Sequence, residues 1–228
     1  RAVHGDVTMA LKTLRLAGAL AALALGGCAS VSEFEAAADS RFRIAVPLNV
    51  ALELDLPSGE IEVVGVDGDE LSARIAIECP AGKSSCVKRA QAVEFVAEST
   101  TDLLRLALNR DGMTSYRGQR VKLEVSVPAS RRLHAKIGSG SLLVTGVRGC
   151  VSVDMLAGEA VVYVPAVRTG SVALDAGVGD ASLRFADGRD LEGRRALLIG
   201  AEVEWTGGPG QCDVEVDLQF GEISVVMQ

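Results

Sequence analysis

Five segments of the chain carry alternating apolar residues up to a glycine: LELDLPSG (52–59), LHAKIGSG (133–140), VSVDMLAG (151–158), VALDAGVG (172–179) and VEVDLQFG (214–221). The residues that follow, EIEVV, SLLVT, EAVVY, DASLR and EISVV, alternate again. A sixth segment, RRALLIGA (194–201) followed by EVEWT, fits with Ala201 in the glycine's place. Three alternate positions before each turn, and the second and fourth after it, are apolar in every unit except at Arg194. Successive side chains of a strand point to opposite faces, so this pattern demands half-buried strands. The intervening places include Glu53, Asp55, Lys136, Asp154, Asp175, Glu215 and Asp217, as a wet face requires.

From Gly140 onward the turns recur roughly every 20 residues, a spacing that implies stacked β-repeats. The expected fold is all-β: a β-solenoid with two strands per unit, each unit closing its apolar side against neighbours about 4.8 Å away. Glycine at the corner allows positive φ or close backbone approach; at Ala201 the adjacent Gly200 takes that role. The chain is 48% hydrophobic but only 4% aromatic, so Val, Leu, Ile and Ala must fill the core. Stacking in chain order has two consequences. Cys150 and Cys212, at equivalent places three units apart, fall roughly 14 Å from each other, beyond the roughly 7 Å a disulfide tolerates between Cα atoms. The last unit, ending VVMQ, leaves an open strand edge at Glu222–Met227 that packs under an N-terminal element or recruits another chain.

Residues 60–132 are less regular. Strand-like runs at 61–66, 71–79, 92–99, 103–109 and 121–128 are separated by the turn signals DGDE, PAGKSS, STTD and RDGMTSYRGQ. Lys88–Ala97 also fits a short helix. Residues 43–228 read as one β-repeat domain, regular from about residue 133.

The N-terminus reads as a targeting segment. Met9 is a start site with Arg1–Thr8 upstream, Lys12 and Arg15 form a positive region, and Leu16–Leu25 is an apolar run too short to span a bilayer. It ends in LGGC, which resembles a bacterial lipobox. On that resemblance residues 1–27 are a signal peptide and Cys28 is lipidated, several acyl chains anchoring it at about 0.8 kcal/mol per buried CH2. Ala29 after the cysteine implies, by similarity to Gram-negative lipoproteins, the outer membrane. Residues 28–42 read as the lipidated Cys and a tether. Cys79, Cys86, Cys150 and Cys212 remain, an even number suited to an oxidising compartment; Cys79 and Cys86 flank a turn and suit a short disulfide. The net charge of −7 argues against nucleic acid as a partner.

SGEIEVVGVDGDEL (58–71), KLEVSVPASRRLHAKIGSGSLLVTGVRGCVSV (122–153) and the Gly-acid-strand units after them resemble the bacterial adhesin-like β-repeat family, also described as auto-transporter adhesin head-like. The resemblance covers about 44–228 and implies a fold, frequent membrane tethering and no defined function. Gly140-Ser141 and Ala201-Glu202 depart from the family's Ser-Gly-Asp/Glu-Ile turn, and no catalytic residues come with it.

Asp55, Asp154, Asp175 and Asp217 occupy the same place, four before the turn. As a ladder they would suit a calcium ion; as solvated positions they keep face and register. Lys136 and Leu197 interrupt the row, and bidentate Glu and dense Asp-Gly spacing are missing, so the solvated reading is preferred and no metal or cofactor is expected. Asp180, Glu159, Glu60 and Glu222 directly follow the turn glycine and are expected to bond local backbone. Ser139 and Ser141 near His134 lack the spacing of a triad, and Trp205 falls on the inward phase. The expected function is a non-catalytic envelope lipoprotein displaying a β surface to peptidoglycan, an envelope protein or itself. The alternative is a carbohydrate-active enzyme using outward Asp154 and Asp175, about 5 Å apart if their units stack directly.

Overall fold

Sustained alternation yields long strands. A computed structural model describes residues 33–109, 118–196 and 199–228; the lipobox and Cys28 lie outside them. In chain order the elements are β1 (Phe34–Ala45), β2 (Ala51–Val66), β3 (Glu70–Pro80), α1 (Ser84–Gln91), β4 (Glu94–Ser99), β5 (Leu103–Asn109), β6 (Arg120–Pro128), β7 (Leu133–Thr145), β8 (Val151–Val164), β9 (Thr169–Arg184), β10 (Asp190–Glu192), β11 (Arg194–Ala196), β12 (Gly200–Thr206) and β13 (Cys212–Met227). The described residues are all-β apart from one short helix.

Each glycine-cornered unit is one strand rather than two. β2, β7, β8, β9 and β13 run through Gly59, Gly140, Gly158, Gly179 and Gly221 at φ between +127° and +144°, so each strand has a first arm, a bend and a second arm. The five pair in parallel with their glycines in register, in the order β2–β7–β8–β13–β9. The stack therefore does not follow the chain. The strand predicted to end it, β13, lies between β8 and β9. Local pairing explains this order: after β9 the chain turns back, and β10 and β12 pair antiparallel with the two arms of β9. With that side of β9 occupied, β13 is left the other.

Additional strands extend each arm. The first arm of β2 pairs with β5 and through it β4; the second arm pairs with β6, then β3 and β1. Leu52, Leu54 and Leu56 of a first arm and Ile61 and Val63 of a second arm belong to one buried core, as do their counterparts in the other long strands. The inward positions read from the sequence are those the structure buries.

Other sequence expectations change. The sixth unit is an antiparallel hairpin of β11 and β12, with Ala201 opposite Ala176 rather than at a corner. An L-residue fits there because no bend is made. Most of the expected tether is strand β1, which runs antiparallel to β3 with an irregularity between Ala36 and Ala38. That shift and the strand's small alanines blunt its periodicity. The PAGKSS segment does turn, at Ala81 and Gly82, but the short helix expected over Lys88–Ala97 lies earlier, at Ser84–Gln91, and the run after it becomes strand at Glu94. Cys86 is buried on this helix and bonded to Cys79, with Cα atoms 5.9 Å apart. Finally, the C-terminal strand has no open edge. β13 is paired on both sides, and the Gln228 N–H donates to the Val164 carbonyl at 2.9 Å. The expected recruitment through Glu222–Met227 is thereby removed.

Candidate functional site

The first arms turn their core positions inward, so the residues between them form one outer face in register. Reading across the strands, Asp55 pairs with Lys136, Lys136 with Asp154, Asp154 with Asp217, Asp217 with Asp175 and Asp175 with Glu202. The four aspartates of the sequence ladder thus share a row in a different order from the chain. Asp154 and Asp175 are not neighbours, because Asp217 separates them.

On one half of this face the carboxylates have partners. Arg105 on β5 bonds Asp55 and lies 3.3 Å from Glu53 and 3.4 Å from Glu98. Lys136 Nζ donates to Glu53 at 3.0 Å, and His134 Nε2 lies 2.8 Å from Asp154 Oδ2. Beyond β8 the balance shifts. Asp217, Asp175, Glu204 and Glu215 form no ion pair among the described residues. Burial, then Asp175 and Asp154, hold the Asp217 carboxyl above the usual carboxylate range. In the folded state ionised Asp217 is therefore disfavoured, a penalty absent when it is protonated and complete above its raised pKa. Asp217→Asn should raise thermal stability at neutral pH by less than about 1 kcal/mol, since the face is wet and screened. The gain should vanish as the pH falls below the ordinary carboxylate range, and melting curves between pH 3 and 8 read it directly.

At the bend the same strands expose apolar side chains. The residue before each glycine runs Ser58, Ser139, Ala157, Phe220, Val178 across the stack. Phe220 is 53% exposed, Val178 40%, neighbouring Leu156 51%, and Ile199, whose carbonyl accepts the Gly179 N–H, 58%. An open concavity of about 430 Å³ lies over the row, lined by Lys136, Asp154, Leu156, Asp217 and Gln219 among others. The signal for this cluster was in the sequence: Phe220 and Val178 stand where the earlier units have Ser58 and Ser139.

The remaining candidates separate. His134 meets Asp154 and Glu53, whereas Ser139 Oγ lies 2.9 Å from Ser58 Oγ, so no serine–histidine pair assembles. Asp180 meets Arg195 at 3.0 Å and Glu60 meets Lys122 at 4.0 Å, contacts to other strands where local backbone bonds were expected. Trp205 packs partly buried against the core, its ring 5.5 Å from Phe185 in an edge-on contact. Among the described residues no group of three or more His, Cys, Asp or Glu has the geometry to hold a metal ion. Among them, too, no helix is long and apolar enough to cross a membrane.

Fold and face together define an open β-sheet protein whose first arms present charged residues on their outer face and whose bends expose apolar side chains. No protein-family model and no curated protein matches the chain. Among solved structures it is similar to a candidate cell adhesion protein from Clostridium sporogenes, at 14% identity and TM-score 0.49, over 84% of this chain and 100% of that one. It also aligns with a candidate adhesin from Parabacteroides merdae (8% identity, TM-score 0.26, 82% of this chain and 80% of that one). A candidate lipid binding protein from Parabacteroides distasonis aligns at 8% identity and TM-score 0.22, over 83% of this chain and 96% of its own.

Proposed function

We propose that this protein is a non-catalytic, lipid-anchored envelope module that binds a partner through the outer face of its first arms. The observation that carries the reading is the exposure of Leu156, Phe220 and Val178 at the bend of the strands, with Ile199 at Gly179, on an element set that also presents Asp217 and Asp175 without an ion partner among the described residues. Exposed apolar clusters rimmed by charge mark interaction surfaces. Charge complementarity selects a cationic, amphipathic polypeptide segment, its apolar side on Phe220 and its Lys or Arg over the acidic row. Anchoring at Cys28 would hold this face at the envelope.

A carbohydrate-active reading draws on one observation: the raised pKa of Asp217, flanked by two carboxylates, is the arrangement that makes a proton donor. Against it stand the open face and the lack of an aromatic platform on it.

The test is a titration of the purified protein with basic amphipathic peptides, alongside incubation with peptidoglycan and polysaccharides. Salt-sensitive peptide binding should weaken about tenfold in Phe220→Ser, and no sugar product should appear. Sugar release that Asp217→Asn abolishes would replace the binding reading with the enzymatic one; neither binding nor release would remove both.

A further inference from the structure

The inserted position of β13 creates a second cysteine pair. In a stack following chain order Cys150 and Cys212 would be far apart. In the structure Val151 at the start of β8 and Val214 near the start of β13 are register partners on adjacent strands. Cys150 immediately precedes Val151, and Cys212 stands two residues before Val214 on the adjacent strand. The Cys150 carbonyl accepts the Leu133 N–H at 2.9 Å, and the Cys212 N–H donates to the Arg168 carbonyl at 3.0 Å, which fixes both backbones. A register shift between Cys212 and Asp213 breaks the regular alternation there. The Cys150 thiol is near enough to that of Cys212 to act on its ionisation. Both cysteines are free and half-buried, and neither belongs to the acidic row or the apolar cluster.

We propose that Cys150 and Cys212 are a modification site: a second disulfide, formed after folding by exchange with a disulfide-bearing oxidant, that staples β13 to β8. The thiolate of Cys150 attacks one sulfur of the donor disulfide and expels the first donor thiol. The Cys212 sulfur then attacks the Cys150 sulfur of the mixed disulfide and releases the second. The protein dithiol loses two electrons and two protons, and the donor disulfide is reduced to two thiols. Burial, and then the neighbouring Cys150, push the Cys212 thiol up to about 11. Cys212 is thus a poor first nucleophile near neutral pH, so the exchange starts at Cys150, and Cys212 attacks as its thiolate once the mixed disulfide has formed. A bond between residues so distant in sequence closes a long loop, the case in which a disulfide restricts the unfolded chain most.

The experiment uses the purified full chain, reduced and then exposed to oxidised glutathione at pH 8. Remaining thiols are blocked with N-ethylmaleimide, and the protein is digested without reduction. The expected result is a linked peptide pair containing Cys150 and Cys212, two molecules of reduced glutathione released per bond, and a melting temperature several degrees above that of the reduced chain. Cys150→Ser and Cys212→Ser should each lose the link and keep only the part of the rise that re-forming Cys79–Cys86 gives. Blocked or singly glutathionylated cysteines at both positions in the folded wild-type protein would overturn the proposal. Mapping of the wild type decides this even where a variant folds poorly, and it is independent of whether any peptide binds the acidic face.

Discussion

Gly221→Ala should leave the protein unable to fold. Gly221 sits at the bend of the central strand with φ +141°, and a Cβ placed there would lie 1.8 Å from the Gly158 carbonyl oxygen. Two costs combine. This region of backbone space is essentially open only to glycine, at about 1–3 kcal/mol for any other residue. The clash adds more, because the atom it meets is backbone of the adjacent strand and moving it breaks the register of both. Gly158 and Gly179 are in the same position: at each, an added methyl carbon would fall within 1.8 Å of a neighbouring glycine's carbonyl oxygen. We expect a loss of roughly 4 kcal/mol or more, read as absence of a cooperative melt. Gly68→Ala is the control: its φ is +122°, yet nothing lies within 4 Å of the added carbon. It should cost only the backbone term, about 1–3 kcal/mol. Equal effects at the two positions would mean that the glycine column is not tightly stacked.

A chain ending at Gly210, without β13, should be insoluble or molten. The strand contributes Val214, Val216, Leu218, Ile223, Val225 and Met227, none more than 3% exposed. Burying six such side chains is worth on the order of 10 kcal/mol, as much as the whole stability of a typical domain. The loss goes beyond area, because β8 and β9 are both hydrogen-bonded to β13 and to no common partner without it. If the strand instead lay at the end of the stack, its removal would expose one neighbour and leave the rest folded. Circular dichroism and sedimentation of the truncated chain separate these outcomes: a folded, monodisperse product would refute the observed strand order.

The sequence was informative wherever a physical constraint acts on one residue at a time. Val153, Leu174 and Val216 had to be apolar because each faces the core of its own strand, and all three are buried. The bend glycines were equally legible, since each is needed by its own backbone. Legibility stopped where a choice lay between partners. Every long strand presents the same alternation, so any could pair with any other, and the chain order that the eye imposes is not encoded in the pattern. Ala201 illustrates the limit: its flanking alternation matches a bent unit, yet the segment is half of a straight hairpin. The candidate face was partly readable. Its aspartates were identified as outward and equivalent, but the neutralisation of Asp55 by Arg105 depends on β5 lying against β2, a pairing no spacing announced.

From the amino-acid sequence alone came the all-β character, the inward and outward set of the five bent strands, and the position of their bends, because alternation and glycine act locally. Tertiary structure alone decided that β13 enters between β8 and β9. That choice places Asp217 between two like charges, seats Phe220 beside Val178 and brings Cys150 against Cys212. Its cause is competition for a strand edge: β10 and β12 fold back onto β9 over short connections and occupy one side, leaving the returning chain the other.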